Sequence, residues 1–598
     1  MADNEPNPER ERRKLTVSSK DISRRLKKAE GATVKHARRF VFRRLDNFRD
    51  VRRHIALWIL AIGLIVGATG LQFYWYQEGY RTTVTAEGGT YAEAVQGPLD
   101  SLNPLFAQSS AEESASELIF SKLLRFDETG RLNYDLADSM KVSEDRKTYT
   151  LTIRADARWQ DGLYVRARDV VYTVNTINNP ATHSTITGWE GIKVKEVDPL
   201  TVSFELPAPY APFASALEQL PVLPEHVLRD VEPQALTENN FSVEPIGSGP
   251  FAVRALQEVD ATNGRKVLHL VRNSDYYRGA AKLDRLQLHV YSDSDAIVRA
   301  LRAGEVNAVS DISVVGASLL EGSRYDVEYN AVNSGVYAIF NTASPVLRDT
   351  KVRLALQAAT DTKALRDSLS TDIPALYLPT IGVRLDAEDM PKEPAYDMKR
   401  AASLLDEAGW KLVDGERKKD GESLRLSLVT TKNNDFEKVL VPLTAQWREL
   451  GVTITTNIVD PNDPTQNVAQ DVLRPRQYDV LLYRLTVGGD PDVYAYWHSS
   501  QASAGLNFAN YRSSISDEAL VSARSRSEMD LRNAKYATFA TQWLKDAPAI
   551  GLYQSTTQYV HTQGVTATAD DVYFVSPVSR YTDILYWSSG ERRVFQTP

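Results

Sequence analysis

The sequence predicts an α/β body carried behind one membrane-spanning helix. Three observations predict it: a charge-free apolar run near the start, an alternation of strand-period and helix-period segments through the rest, and no fixed-period repeat. A chain of 598 residues has room for three or four domains at about 150 residues each, or for one composite body. It buries enough surface to need no disulfide or metal staple. Cysteine is absent, which excludes thiolate metal sites, a thiol nucleophile and a lipid carried on cysteine. Hydrophobic residues at 42% and charged residues at 25% are ordinary globular values and exclude wholesale disorder.

The first element is a basic leader. Residues 1–54 hold 17 Lys plus Arg against 8 Asp plus Glu, and that balance of +9 leaves -17 for the rest of a chain whose net charge is -8. From Ile55 to Tyr76 run 22 residues without charge. At 1.5 Å per residue they span about 33 Å, enough for the hydrocarbon core of a bilayer. Arg49, Arg52 and Arg53 flank one end, and Phe73, Tyr74, Trp75 and Tyr76 the other. The positive-inside rule then puts residues 1–54 in the cytoplasm and the chain beyond Tyr80 outside, as a single-pass protein of the plasma membrane. A cleaved signal peptide has a short charged region and an apolar core of about 7–15 residues. Both are exceeded here, so an uncleaved anchor is expected. Runs such as Arg24-Arg25-Leu26-Lys27-Lys28 also suit nucleic acid, but orientation and anionic inner-leaflet lipids account for them, and no nucleic-acid partner is expected.

A short tether, residues 77–84, leads into the outer body. There Thr148 to Arg154 alternates Tyr149, Leu151 and Ile153 on one face, and Thr201 to Leu206 does the same with Val202, Phe204 and Leu206, as half-buried strands do. Ser292 or Asp293 caps a helix whose Ile297, Ala300 and Leu301 share a face and which Gly304 ends; Asp397 caps another, ended by Gly409. Ser423 to Val429, Asp435 to Leu450 and Val452 to Val459 read as strand, helix and strand, a βαβ unit with parallel strands. Mixed sheets with flanking helices follow.

Catalytic patterns are missing. None of the 8 histidines stands at the i, i+4 spacing of a helical zinc site, and there is no Gly-x-Ser-x-Gly elbow or Walker loop. Gly247-Ser248-Gly249-Pro250-Phe251-Ala252 matches a dinucleotide fingerprint letter by letter, but Pro250 and the strand-like run after it favour a turn. No metal or cofactor is expected, and a binding protein is favoured over an enzyme.

The run Leu136 to Val174 resembles the signature of the large extracellular solute-binding proteins, family 5, of peptide, dipeptide and nickel ABC importers. Ala137, Ser143 to Asp145, Tyr149 to Arg154, Trp159 to Gly162 and Asp169 to Val171 stand in that family's order. Asp161-Gly162 reads as a turn and Asp169 as a helix cap. Further stretches similar to the family follow collinearly at Pro245 to Phe251, Arg272 to Tyr277, Ala303 to Val306, Asn341-Thr342, Asp349 to Ala359 and Asp397 to Trp410. The resemblance implies a two-lobe, periplasmic-binding-protein-like fold with a hinge. Lobe I would comprise residues 85–117, 207–335 and 560–598, an inserted subdomain 118–206, and lobe II 336–559.

It also implies the function: capture of a peptide-like solute in the interlobe cleft and delivery to the permease subunits of an ABC importer. In peptide binders of this family an acidic residue shortly before an Asp-Pro turn pairs with the peptide's ammonium group. Aligned on Gly489-Asp490-Pro491, that position holds Val487. The candidate ligand segment is therefore Tyr483, Arg484, Leu485, Thr486 and Val487. Asp490 reads as a cap for the turn before Val493 to His498, and Arg484 offers a planar fork to a carboxylate or phosphate. Trp189 and Trp497 are aromatic candidates, although core packing competes for both. The alternatives are an anchored cell-surface enzyme, for instance a carbohydrate-active one, and a binding protein turned sensor or docking module.

Overall fold

A computed structural model describes residues 48–79, 81–310, 312–322, 324–370, 372–382, 385, 390–460, 466–567 and 572–595. The leader up to residue 47 lies outside the described residues. Two compact units result, Met1–Val84 with Arg593–Pro598, and Thr85–Arg592.

In the first unit one helix runs Phe48–Gly79, 32 residues long. Its stretch Arg52–Tyr76 has a mean hydropathy of 2.0 over its most apolar window, and Leu57, Trp58, Ile59, Leu64 and Trp75 are all exposed. Length and composition suffice to cross a bilayer. The expected tether is partly strand: Arg81–Thr85 pairs with Glu591–Phe595.

The second unit is organised by one ten-stranded mixed sheet. In spatial order its strands are Thr453–Val459, Arg425–Thr431, Val480–Thr486, Tyr325–Phe340, Ala549–Thr562, Ala308–Ser310, Thr90–Gln96, Arg285–Tyr291, Arg265–Arg272 and Phe251–Asp260. The two central strands are long, 16 and 14 residues, and pair antiparallel with a break in register. Ala331 faces Thr556, and the next pair is Gly335 with Gln554. Valine 332, Asn333 and Ser334 thus stand opposite Ser555 alone, a bulge of the kind that bends a strand. The hydrophobic core changes at the same place. Tyr325 packs with Leu301 and Val560, whereas Val336, Ala338 and Phe340 pack with Leu356 and Trp447, and Tyr337 and Ile339 with Trp497 and Trp543.

Local expectations from the sequence mostly hold. Thr148–Ile153 buries Tyr149, Leu151 and Ile153 and pairs with Thr201–Glu205 inside a four-stranded antiparallel sheet. The strand-helix-strand unit is present as Arg425–Thr431, Asn434–Glu449 and Thr453–Val459, its strands parallel from Arg425↔Thr453 to Thr431↔Val459. The Asp293 carboxylate accepts from the Ala296 N–H at 2.7 Å, and Gly304 ends that helix at a φ of 74°. One cap is misplaced by the sequence reading. The helix Ala167–Ile177 begins after Arg166, and Asp169 serves from its first turn, accepting from the Arg166 N–H at 2.8 Å. The glycine-rich stretch at 247–249 is a close approach rather than a nucleotide loop: a Cβ on Gly247 would lie 2.0 Å from the Ile119 carbonyl oxygen.

Candidate functional site

A cavity of about 610 Å³ opens beside the register break. Its wall is assembled from five distant stretches of chain: 104–135, 185–221, 250–278, 486–488 and 575–585. Volumes of roughly 300–1,000 Å³ are usual for small-ligand sites. The segment at 486–488 is held in place from the bulge. Asn333 is buried there; its carbonyl accepts from the Val487 N–H at 2.9 Å, its Nδ2 donates to the Gly488 carbonyl at 3.0 Å, and its Oδ1 accepts from the Tyr573 hydroxyl at 3.0 Å. Residue 333 therefore ties the strand end at the cavity to the hinge-like break and to the C-terminal segment.

Two glycines let the opposite wall close against this segment. A Cβ on Gly489 would sit 2.0 Å from Phe126 Cζ, and one on Gly488 would sit 2.3 Å from Gln219 Nε2. Phe126 and Gln219 both line the cavity, so any larger side chain at 488 or 489 must displace the wall.

The charged residues of the wall are Glu113, Glu117, Lys122, Arg125, Asp135, Glu218 and Arg278. Lys122 Nζ lies 2.6 Å from Glu117 and 3.1 Å from Glu218. Burial alone would lower the pKa of this ammonium, but the two carboxylates override it and hold the group well above the usual lysine range. Burial raises the Glu218 carboxyl, with Glu117 adding to the effect and Lys122 offsetting part of it. Asp135 is buried and pushed up likewise; it accepts from the Tyr277 hydroxyl at 2.7 Å and faces Arg278 at 4.0 Å. Arg125 has no carboxylate within ion-pair distance among the described residues. At the edge of the site, burial and a hydrogen bond to Glu128 push the Asp583 carboxyl up to about 6.

Of the residues expected from sequence, the structure brings Trp189, Thr486 and Val487 to the cavity. Trp189 is buried against Phe204 and Phe213, their ring centroids 6.3 and 5.9 Å away. Tyr483 is half-buried and meets Phe508 edge-on at 5.5 Å. Arg484 alternates to the other face of its strand, 5.7 Å over the Phe436 ring. Leu485 and Trp497 are buried in the core with Tyr337 and Trp543. Asp490 does not cap the turn. Asp492 does, accepting from the Tyr494 N–H at 3.1 Å, while Asp490 forms a two-pronged ion pair with Arg532 at 2.6 and 2.7 Å. Sequence reading missed Lys122, Arg125, Phe126, Glu218 and Arg278. The Gly488-Gly489 doublet just past the strand end at Thr486 was the available signal, since glycine there can mark where another part of the chain approaches closely.

A cluster around Arg524 reaches the wall at Tyr210. Arg524 lies 2.9 Å from Asp492, stacks over Tyr494 at 4.1 Å and over Tyr210 at 5.0 Å, and its carbonyl accepts from the Ala211 N–H at 2.9 Å. Arg146 pairs with Glu528 at 2.7 Å. This is an arrangement for holding a solute, with ionic, aromatic and apolar surface around one open-mouthed cavity. Among the described residues no group of three or more His, Cys, Asp or Glu is placed to hold a metal ion.

Comparison with known proteins follows the same lines. Residues 131–506 match the profile of the bacterial extracellular solute-binding proteins, family 5, middle region. The oligopeptide-binding protein AppA of Bacillus subtilis is 26% identical over 479 residues, which cover 78% of this chain and 86% of the relative. Its solved structure in complex with a nonapeptide matches at a TM-score of 0.68 and 25% identity, over 84% of this chain and 99% of that one. NikZ from Campylobacter jejuni in complex with Ni(L-His) matches at a TM-score of 0.69 and 25% identity, over 83% and 99%.

Proposed function

The chain belongs to the bacterial extracellular solute-binding proteins of family 5, and from that premise we propose that it captures a peptide-like solute and delivers it to an ABC importer, without catalysing a reaction. The observation that carries the reading is the cavity of about 610 Å³ lined by both Phe126 and Gly488, in a two-lobe fold. Supporting the peptide class is the likeness to AppA, whose solved complex holds a nonapeptide. The lobes divide, on this reading, as residues 85–117, 207–335 and 560–598 against 336–559, with 118–206 inserted in the first. The switch of core and register between Ala331 and Val336 supports that boundary.

Closure swings one lobe onto the other about the bulge at 332–334, trading cavity water for ligand contacts, and the permease recognises the closed form. The apolar helix Phe48–Gly79 anchors the protein with its N-terminus in the cytoplasm and the binding body outside. The arginines before it and the aromatic residues at its far end support that orientation.

The test is native mass spectrometry of the full-length chain released from detergent, together with thermal stabilisation by randomised peptide pools. A ligand at 100 times its Kd adds about 2.7 kcal/mol to stability. Peptides retained through purification and a raised Tm are expected. No retained peptide and no stabilisation by any pool would sink the proposal, and turnover of a substrate would establish an enzyme instead.

A further inference from the structure

We propose that the outer end of the ten-stranded sheet carries a second binding site, and that it takes a phosphate monoester, either a soluble one or the headgroup of an acidic lipid. A depression of about 420 Å³ lies there and shares no residue with the cavity at Gly488; its polar lining is Arg254, Gln257, His269, Arg285 and Gln287, with no acidic side chain. These residues come from the last three strands, Arg285–Tyr291, Arg265–Arg272 and Phe251–Asp260. Successive side chains of a strand point to opposite faces, yet Arg254 and Ala255 line the same depression. The register accounts for it. His269 pairs with Ala255 and Leu270 with Val253, so Arg254 is an extra residue, and such a bulge re-aims its side chain. Arg285 pairs with Val271 from the other side of the middle strand. The two arginines therefore flank the depression from strands whose backbones are about 10 Å apart.

What the lining leaves unused is a set of donors. Neither guanidinium has a hydrogen bond or ion pair among the described residues. Asp284, next to Arg285 in the chain, is turned to Arg272 at 3.3 Å and accepts from the Gly89 N–H at 3.2 Å. The two glutamines are oriented by histidines: His269 Nε2 lies 3.0 Å from Gln257 Oε1, and His289 Nε2 lies 3.1 Å from Gln287 Oε1. An amide oxygen only accepts, so each ring N–H donates and the two amide NH2 groups are left over. Burial, and then Arg265, push His289 down to about 4, and its Nδ1 has no partner; the ring is uncharged and its one N–H faces Gln287. Two positive charges without a countercharge suit an anion of more than one charge. A phosphate monoester carries about −1.5 to −2 and three acceptor oxygens, enough for a planar fork from each side and for the amides, whereas a carboxylate neutralises one arginine.

The experiment titrates the full-length chain in neutral detergent with glycerol phosphate, and with acetate for comparison, by calorimetry at an ionic strength held constant with chloride. The parent is expected to bind glycerol phosphate about tenfold or more tightly than acetate. Arg254→Gln and Arg285→Gln are each expected to lose about ten- to a hundredfold in affinity, and Arg254→Lys and Arg285→Lys to recover part of it. Without ligand the Tm of all four variants should match the parent's, since neither side chain has a partner to lose. A parent that ignores glycerol phosphate, or binds acetate as tightly, overturns the proposal and needs no variant to fold. Binding that survives both R254Q and R285Q lies elsewhere and overturns it as well. Nanodiscs then separate the two sources. Binding of glycerol phosphate that is equal in phosphatidylcholine and in phosphatidic acid supports a soluble ester, and binding lost only in phosphatidic acid supports the lipid headgroup.

Discussion

Replacing Gly489 by alanine adds a single methyl group at the place where the two walls of the cavity touch. That carbon would lie 2.0 Å from Phe126 Cζ and 2.2 Å from Cε2, whereas apolar carbons rest at about 3.5–4.0 Å. Roughly 1.5 Å of separation is missing. Gly489 is not among the residues with positive φ, so alanine meets no backbone strain there and the effect is confined to the contact. Forcing a methyl into a packed contact costs about 1–3 kcal/mol. On the proposed closure the free protein escapes that cost by opening at the bulge, and its Tm should change little. The closed, ligand-bound form cannot, and affinity should fall roughly five- to 150-fold. Phe126→Ala removes the obstacle, and a double-mutant cycle isolates the coupling between the two positions. Calorimetric titration of the parent, G489A, F126A and the double variant with a randomised peptide pool reads it directly. Unchanged affinity in G489A, or a loss that F126A does not restore, would refute closure of these two walls upon each other.

Other consequences are equally open to measurement. Asp490→Ala leaves the Arg532 guanidinium buried without its carboxylate, a loss of about 3–5 kcal/mol; a lower Tm with an unaltered preference among peptides is expected, and an unchanged Tm contradicts the structural role. Arg524→Ala removes the bridge from Asp492 and Tyr494 to Tyr210, and should speed ligand release while association keeps its rate in stopped-flow traces. Burial, with the neighbouring Glu128 carboxyl, pushes Asp583 up to about 6 in the folded chain from an ordinary 3.8. Between those values the folded form keeps a proton that the unfolded form has lost, so stability should decline by about 1–3 kcal/mol as pH rises from 3.8 to 6. D583N should flatten that part of a denaturation profile, and a slope that survives in D583N assigns it elsewhere. Deleting residues 55–76 should release the protein from sedimenting membranes, and a variant still found with membranes contradicts the anchor.

Features set by neighbours in the chain were legible in the sequence. The caps at Asp293 and Asp397, the turn at Asp161-Gly162 and the alternation of Tyr149, Leu151 and Ile153 each depend on a few adjacent residues, and each is where it was expected. Asp169 and Asp490 were harder for the same reason. Both sit beside a helix start, and which acid becomes the cap depends on where the helix begins and on what else is near. Asp490 finds Arg532, 42 positions away, and Asp492 is left to cap. The cavity was legible only where one strand feeds it. Thr486 and Val487 could be placed by their turn, but the alternation of a strand sends Arg484 to the opposite face from Tyr483, and nothing in the order of residues says which face meets the solute. Lys122 and Glu218 are 96 positions apart in sequence and 3.1 Å apart in space. Such a pairing is a product of the fold and leaves no local pattern.

The segment at 486–488 contributes no charge to the cavity, and every charged side chain in the wall lies between Glu113 and Arg278. The two halves of the site should therefore answer to different rate constants. With four carboxylates against three cations, the wall draws in a cationic solute by a field that added salt screens, the Debye length being about 8 Å at 0.15 M. Its escape waits for a neutral strand end to lift away. Raising the salt should slow capture and leave the residence time unaltered. One wall sets how fast a solute is noticed, and the other how long it is kept.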